Sequence, residues 1–276
     1  MRVSVCICTR NRPDELERAL RSLEESSYPI HEVIVSDDST DNATSRRIRR
    51  SFPELKYMRG PRQGLAANRN HCLASVTGSH VLFMDDDVVL AKTFLWNILK
   101  TGQQAERTEK PPIVTGLENN RGKLVHPNEQ SFLGFQSRVY RQGEPLRTIV
   151  INSTVFPVQL FDELKFDENL IYGYEEVDIA TRAAGRGYPI VLAPGAINDH
   201  YPSAANRDYY EPHVEASRLY ATFKRYRFTE RKRVKAASFL AAASLHALLH
   251  GVKERKPGRA WRTIHHSYSM IARLRY

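Results

Sequence analysis

Three carboxylates stand side by side at Asp85, Asp86 and Asp87, directly after the apolar run HVLFM at 80–84. Like charges held this close raise one another's pKa unless something cationic offsets them. On an extended chain, residues two apart share a face, so Asp85 and Asp87 point one way and Asp86 the other. A hard cation such as Mg2+ takes one or two carboxylates and completes its shell with water and substrate phosphate. Mn2+ suits the same ligands. The competing reading is a solvated acidic turn or a helix cap. The position after a buried strand favours the metal.

A second acidic cluster is Glu175, Glu176 and Asp178. Acids in the first turn of a helix stabilise its dipole. Asp178 can also pair with Arg182 four residues on. The chemical reading is a general base that takes a proton from an attacking hydroxyl. His200, just past an apolar run, is either structural or a ligand. Asp37 and Asp38, in SDDSTD, suit a turn and equally suit acceptance of hydrogen bonds from a base or ribose. Arg10, Arg12 and Arg69 could neutralise a diphosphate.

Alternating elements place these clusters. Residues 3–9, 32–36, 55–58 and 80–84 read as short strands, and the spacing predicts a helix from Pro13 and another over 64–74. Strand and helix in alternation argue for a parallel sheet with crossover helices. Ligands of such sheets sit beyond the carboxyl ends of the strands. Thr9 to Arg12, Asp37 with Asp38, and the Asp triplet all fall there. Further on, 101–111 reads as a loop or helix end. The stretch 119–147 has no steady period and is expected to be a mobile loop over the site. Residues 148–156 and 189–193 read as strands, and 175–184 as a helix ending at Gly185 or Gly187.

The 276 residues and 41% hydrophobic content exclude general disorder and a polytopic membrane protein. Cys6, Cys8 and Cys72 are too few for a disulfide framework or zinc site, so a reducing compartment is expected. The first residues run straight into an apolar strand, so no signal peptide is expected, and no stretch is expected to span a bilayer. Of the net charge of +10, residues 214–276 carry +12, from fifteen basic and three acidic side chains, and the rest carries −2. Such a block suits an anionic surface. No dinucleotide fingerprint, phosphate loop or nucleophile elbow is present.

Five motifs in order resemble the family 2 glycosyltransferases of the GT-A fold. They are VSVCICTRNRP at 3–13, VIVSDDSTD at 33–41, GLAANRN at 64–70, FMDDD at 83–87, and FDEL at 161–164 followed by YGYEEVD at 172–178. The resemblance covers roughly residues 1–200. It implies an α/β fold with a Rossmann-like, mainly parallel sheet and flanking helices. The catalytic domain is 1–213, with a nucleotide-sugar half over about 1–100 and an acceptor half over about 101–213. A basic helical extension, 214–276, follows.

The implied activity is inverting transfer from a nucleoside diphosphate sugar, UDP-linked by expectation, to an acceptor hydroxyl in cell-envelope or polysaccharide synthesis. Asp37 and Asp38 would hold the base and ribose, with Thr9, Arg10, Asn11, Arg12, Arg69, Asp85 and Asp86 also on the donor. Asp85, Asp87 and His200 would hold Mn2+ or Mg2+. Glu176 takes the position of the base, with Glu175 beside it and Asp178 on the acceptor side. The base is usually Asp in the family, and Val88 stands where many members have a fourth acid.

Two other classes compete. A sugar-nucleotide nucleotidyltransferase needs a Gly-rich loop after the first strand, and TRNRP has no glycine. A nucleic-acid-binding protein could use Tyr220, Phe223, Tyr226 and Phe228 among basic residues; the same spacing fits a helix packed on the domain, so nucleic acid is the disfavoured partner. The expected partners are a nucleotide sugar, a glycan or lipid-linked acceptor and an anionic membrane surface. The expected location is cytoplasmic, peripheral on the inner face of the membrane. The sequence sets no oligomeric state.

Overall fold

The computed structural model describes residues 1–105, 108–202, 207–255 and 257–274. Residues 106–107 of the polar stretch 101–111 lie outside the described residues, as do Lys256 and Arg275 of the basic block.

The first strand, β1 (Val3–Thr9), is buried along its whole length. That is why it reads as one unbroken apolar run: a parallel strand is covered on both faces. Pro13 opens α1 (Pro13–Glu24) at the position where a missing N–H costs nothing. Then come β2 (Glu32–Asp37), α2 (Ala43–Ser51), β3 (Lys56–Arg59), α3 (Leu65–Leu73), β4 (His80–Asp85), β5 (Val88–Val89) and α4 (Phe94–Gln104). There follow β6 (Ile113–Asn120), β7 (Lys123–Val125), β8 (Asn128–Gln130), β9 (Gln136–Val139), β10 (Thr154–Pro157), α5 (Leu160–Glu163), α6 (Glu175–Gly185) and β11 (Ile190–His200). The helices α7 (Arg207–Lys224), α8 (Arg233–Lys253) and α9 (Pro257–Ala272) close the chain.

The main sheet runs β3-β2-β1-β4-β10-β6-β11-β5, with β7 on β6. Strands β3, β2, β1 and β4 are parallel, β10 is antiparallel to both neighbours, and β11 is parallel to β6. Alternation along β1 divides the core. Val3, Val5 and Ile7 pack with α1 and α4, while Cys6 and Cys8 pack with α3 and α6 on the other face. All three cysteines are free and buried.

The stretch 119–147 differs from the expected mobile loop. It forms β7 and the β8–β9 hairpin, and its tip is pinned to α7. The Arg218 guanidinium lies 3.9 Å from the Phe135 ring centroid and donates to the Leu133 carbonyl, and the Tyr226 hydroxyl donates to Phe132 O at 3.0 Å. No local period was visible because these partners lie some 85 residues away in sequence. Residues 148–156 also differ, since a 3-10 turn, Ile151–Ser153, precedes β10.

The expected boundary after 213 falls inside α7, which begins at Arg207, and the helices from there on pack against the sheet domain. Lys224 reaches Asp178 at 3.0 Å, and Leu219, Tyr220 and Tyr226 are fully buried. Two of the four aromatics read as stacking candidates are therefore core residues.

Candidate active site

The carboxyl ends of β1, β2 and β4 lie together, with Thr9 beside Asp37 and Cys8 beside Asp85 in register. Each end supplies polar groups to one crevice. After β1, Asn11 adopts φ 57°, and its side-chain oxygen accepts from Thr40 N–H at 2.9 Å while its own N–H donates to Ser39 Oγ at 2.8 Å. The loops after β1 and β2 are thereby tied together. Asp37 is engaged locally, accepting from Ser39 N–H at 2.7 Å and from the Tyr57 hydroxyl. Asp38 accepts from Arg62 N–H at 2.8 Å, and burial raises its pKa against the pull of Arg62 and Arg10.

Each acid of the Asp triplet has its own set of partners. Thr9 Oγ1 donates to Asp86 at 2.7 Å. Arg12 bridges Asp86 at 2.9 Å and Asp87 at 3.2 Å. Burial pushes the Asp86 carboxyl up to about 7, Arg12 pulls it down, and Asp87 adds to the rise. Asp85 ends β4, accepts from Arg69 at 3.1 Å and donates its N–H to Asn152 Oδ1 at 2.9 Å. Arg69 is almost wholly buried and also donates to Glu175 at 2.8 Å. It braces α3, β4 and α6 against one another.

His200 is the last residue of β11, paired with Val88 of β5. That pairing sets its imidazole beside Asp87, with Nε2 3.1 Å from Oδ1. Its Nδ1 lies 2.7 Å from Glu118 Oε1. Burial lowers the pKa of His200, but hydrogen bonds to Asp87 and Glu118 outweigh it and push the group up to about 10. Glu118 in turn accepts from Asn152 at 3.1 Å. Glu118 and Asn152 escaped the sequence reading. Their only signal was an acid in the apolar strand β6 and an amide in the turn before β10, and their meeting shows only once the strands are paired.

These residues suit a divalent cation. Asp87 offers a carboxylate oxygen and His200 an imidazole nitrogen toward one another, and Glu118 orients the ring as an outer carboxylate commonly does. Among the described residues, no three His, Cys, Asp or Glu side chains gather into a complete cage. Mg2+ and Mn2+ do not need one when phosphate oxygens and water fill the shell. Asp85, expected to share a face with Asp87, has Arg69 as its partner.

Helix α6 begins through a strained entry. Gly173 has φ 80° and Tyr174 φ 67°, two left-handed residues in succession. Such strain in a non-glycine residue persists only where the surroundings over-determine it. Gly64 answers it from α3: with φ 105°, its added Cβ would lie 2.8 Å from Ile171. Glu175 is buried against Arg69, and its second oxygen has no hydrogen-bond partner among the described residues. Glu176 is half-buried, with Gln136 of β9 donating at 3.4 Å. Burial, then the neighbouring Glu175, raise Glu176 to about 7. Asp178, expected on the acceptor side, is instead buried in ion pairs with Arg182 at 2.6 Å and Lys224 at 3.0 Å. It serves the packing of α6 on α7.

Comparison with known proteins meets this geometry. The family described as Glycosyl transferase family 2 matches residues 4–154. "Succinoglycan biosynthesis protein ExoM" of Rhizobium meliloti (strain 1021) is 29% identical over 110 residues, 37% of this chain and 35% of that protein. "GalNAc(5)-diNAcBac-PP-undecaprenol beta-1,3-glucosyltransferase" of Campylobacter jejuni is 29% identical over 108 residues, again 37% of this chain and 35% of that protein. The match thus spans about a third of the length of these curated relatives. Among solved structures, a mannosyltransferase from Pyrobaculum calidifontis in complex with GDP-Man and Mn2+ superposes with TM-score 0.59 at 21% identity, over 98% of this chain and 86% of that one. S. aureus TarS superposes with TM-score 0.55 at 19% identity, over 97% of this chain and 55% of that one. Likeness at such identities shows the fold.

Proposed function

The chain belongs to glycosyl transferase family 2, and from that premise we propose that it moves a sugar from a nucleoside diphosphate donor to an acceptor hydroxyl with inversion. The observation that carries the reading is the Asp87–His200 pair at 3.1 Å beside Asp85, which Arg69 ties to Glu175, the neighbour of Glu176. Asp38 accepts hydrogen bonds from the nucleoside, and Asp37 holds the loop that presents it. Arg12 and Arg10 meet the charge of the diphosphate in this reading. Asp87 and His200 hold Mn2+ or Mg2+, which supplies compensation for the negative charge that builds on the leaving diphosphate.

Glu176 is the base. Among the described residues it forms no ion pair, and a pKa near the working pH suits proton removal. Glu175 is tied to Arg69 and fixes the neighbourhood instead. The hydroxyl loses its proton to Glu176 as it attacks the anomeric carbon from the face opposite the diphosphate, which inverts that centre. The donor is proposed to be UDP-linked, and the neighbour solved with GDP-Man makes a guanine nucleotide the alternative to test. A lipid-linked or envelope glycan is the proposed acceptor, since the relative from Campylobacter jejuni is named for an undecaprenol-linked one.

A panel of nucleoside diphosphate sugars, each with Mn2+ and with chelator, tests this by thermal shift, because ligand bound to the native state raises Tm by mass action. One donor is expected to raise Tm in the presence of Mn2+ only. No shift with any donor under either condition overturns the reading.

A further inference from the structure

Helix α8 presents to solvent an apolar stripe that no described element covers. Val234 is 81% exposed, Leu245 57%, Leu249 63% and Val252 68%. Ala241 and Leu248 are exposed as well. At 3.6 residues per turn these six fall within an arc of about 100°, broken by the exposed Ser238, and they run along about 27 Å of helix. Ala236, Phe239 and Ala243 lie on the opposite side and are buried against α7 and the turn after it. Singly exposed apolar residues are ordinary, but an aligned row of this length marks a binding face.

The charges around the stripe point to its partner. Arg231, Lys232 and Arg233 are exposed at the start of α8, and Lys253 and Arg255 at its end. The first turn holds no acid. Cations at a helix N-terminus oppose its dipole, so this cluster does not serve the helix. Helix α9 adds amphipathic rings. The Tyr268 hydroxyl lies 3.1 Å from Ser244 Oγ at the edge of the stripe. Trp261 precedes Tyr268 by two helical turns, shares its face and is 65% exposed. Trp and Tyr settle at the headgroup level of bilayers.

We propose that this face of α8, with Trp261 and Tyr268 of α9, docks flat into the headgroup region of a bilayer carrying anionic lipid. Apolar side chains reach the acyl boundary while the cations at both ends meet lipid phosphates. No described helix is long and apolar enough to cross a membrane, so the contact lies in the plane of the interface. A second copy of the chain is the poorer occupant. With cations at both ends of the stripe, either alignment of two stripes sets like charges together. The inference deepens the acceptor reading and rests on it for its purpose, because a docked face brings a lipid-linked acceptor within reach. The binding is measured without donor or acceptor, so the two readings fail separately.

Co-sedimentation of the full chain with vesicles tests it. Vesicles containing phosphatidylglycerol are expected to carry the protein down at low salt, less so at high salt, and pure phosphatidylcholine vesicles hardly at all. L245E/L249E alters only exposed positions, so its melting curve is expected to match the parent. It should lower binding to phosphatidylglycerol vesicles by about tenfold or more. R231Q/K232Q/R233Q should weaken the same binding and blunt its salt dependence. Absence of binding by the full chain overturns the proposal, as does unchanged binding by a folded L245E/L249E. A chain that dimerises through the stripe and leaves vesicles unbound assigns the face to a second copy, which also overturns it.

Discussion

The acidic turn after β4 and the start of α6 each gather carboxylates, and each contains one whose pKa is raised to about 7, yet they are built differently. In the turn every carboxylate has a strong partner: Asp85 has Arg69, Asp86 has Thr9 and Arg12, and Asp87 has Arg12 and His200. At the start of α6, Glu176 forms no ion pair among the described residues and is held by the weak donor Gln136 and by its own backbone N–H. Burial dominates both shifts and a neighbouring acid adds to each, Asp87 in the turn and Glu175 at α6; the turn opposes the rise with the hydrogen-bonded Arg12, whereas Arg69 acts on Glu176 only as a nearby charge. A fully partnered carboxylate is a fixed element that holds charge in place. A weakly partnered one near neutrality can exchange a proton. The same shift thus accompanies a braced carboxylate in one region and the proposed base in the other.

The contrast breaks most visibly at Glu176. Glu176→Gln keeps the shape and removes the proton acceptor, so kcat should fall by roughly 10²–10⁴ with donor affinity little changed. A steady-state comparison with Glu175→Gln checks the assignment. If Glu175→Gln is the variant that loses turnover while Glu176→Gln keeps it, the base is misplaced by one residue.

The partnered side is probed through Glu118. Glu118→Gln leaves Asp87 and His200 in place but weakens the orientation of the imidazole. Calorimetric Mn2+ affinity in the presence of nucleoside diphosphate should drop by about 10–100-fold. Unchanged affinity would detach Glu118 from the metal site.

A smaller effect sharpens the open side. The base acts when ionised, so kcat should rise tenfold per pH unit up to about pH 7 and level off above it. Removing the neighbouring charge in Glu175→Gln should move that limb to lower pH, and a limb that stays put would assign the shift to burial alone. The least effect is on stability. A carboxyl whose folded pKa lies above its unfolded value binds more protons when folded, so the native state loses stability as pH rises from the unfolded pKa through the folded one. Glu176→Gln removes that loss. Its Tm should exceed that of the parent at pH 8 and match it near pH 4, and a lower Tm at pH 8 contradicts the burial cost.

Much of this was legible in the sequence where runs are local. The fully buried β1, the helix opened by Pro13 and the acids leading α6 follow from residue types and spacing within a dozen positions. The elements missed depend on distant partners. Helix α2, with only Thr44 and Ile48 buried, carries too thin an apolar signal for a periodicity argument. The β8–β9 hairpin is ordered by Arg218 and Tyr226. The same limit applied to the site. Asp85 and Asp87 read as a pair from strand geometry, but β4 ends at Asp85, and the two acids meet different cations. Arg69 read as a diphosphate ligand, because nothing local shows that its guanidinium is buried between Asp85 and Glu175.

The account turns on metal-assisted sugar transfer, and the most direct measurement is transfer of labelled sugar from the donor that the thermal-shift panel selects. It compares the parent and Asp87→Ala in Mn2+ and in excess chelator, with Asp87→Ala folded by its melting curve. The account predicts product from the parent in Mn2+, none in chelator, and none from Asp87→Ala in either. Full transfer by the parent in chelator, or by Asp87→Ala in Mn2+, would contradict it.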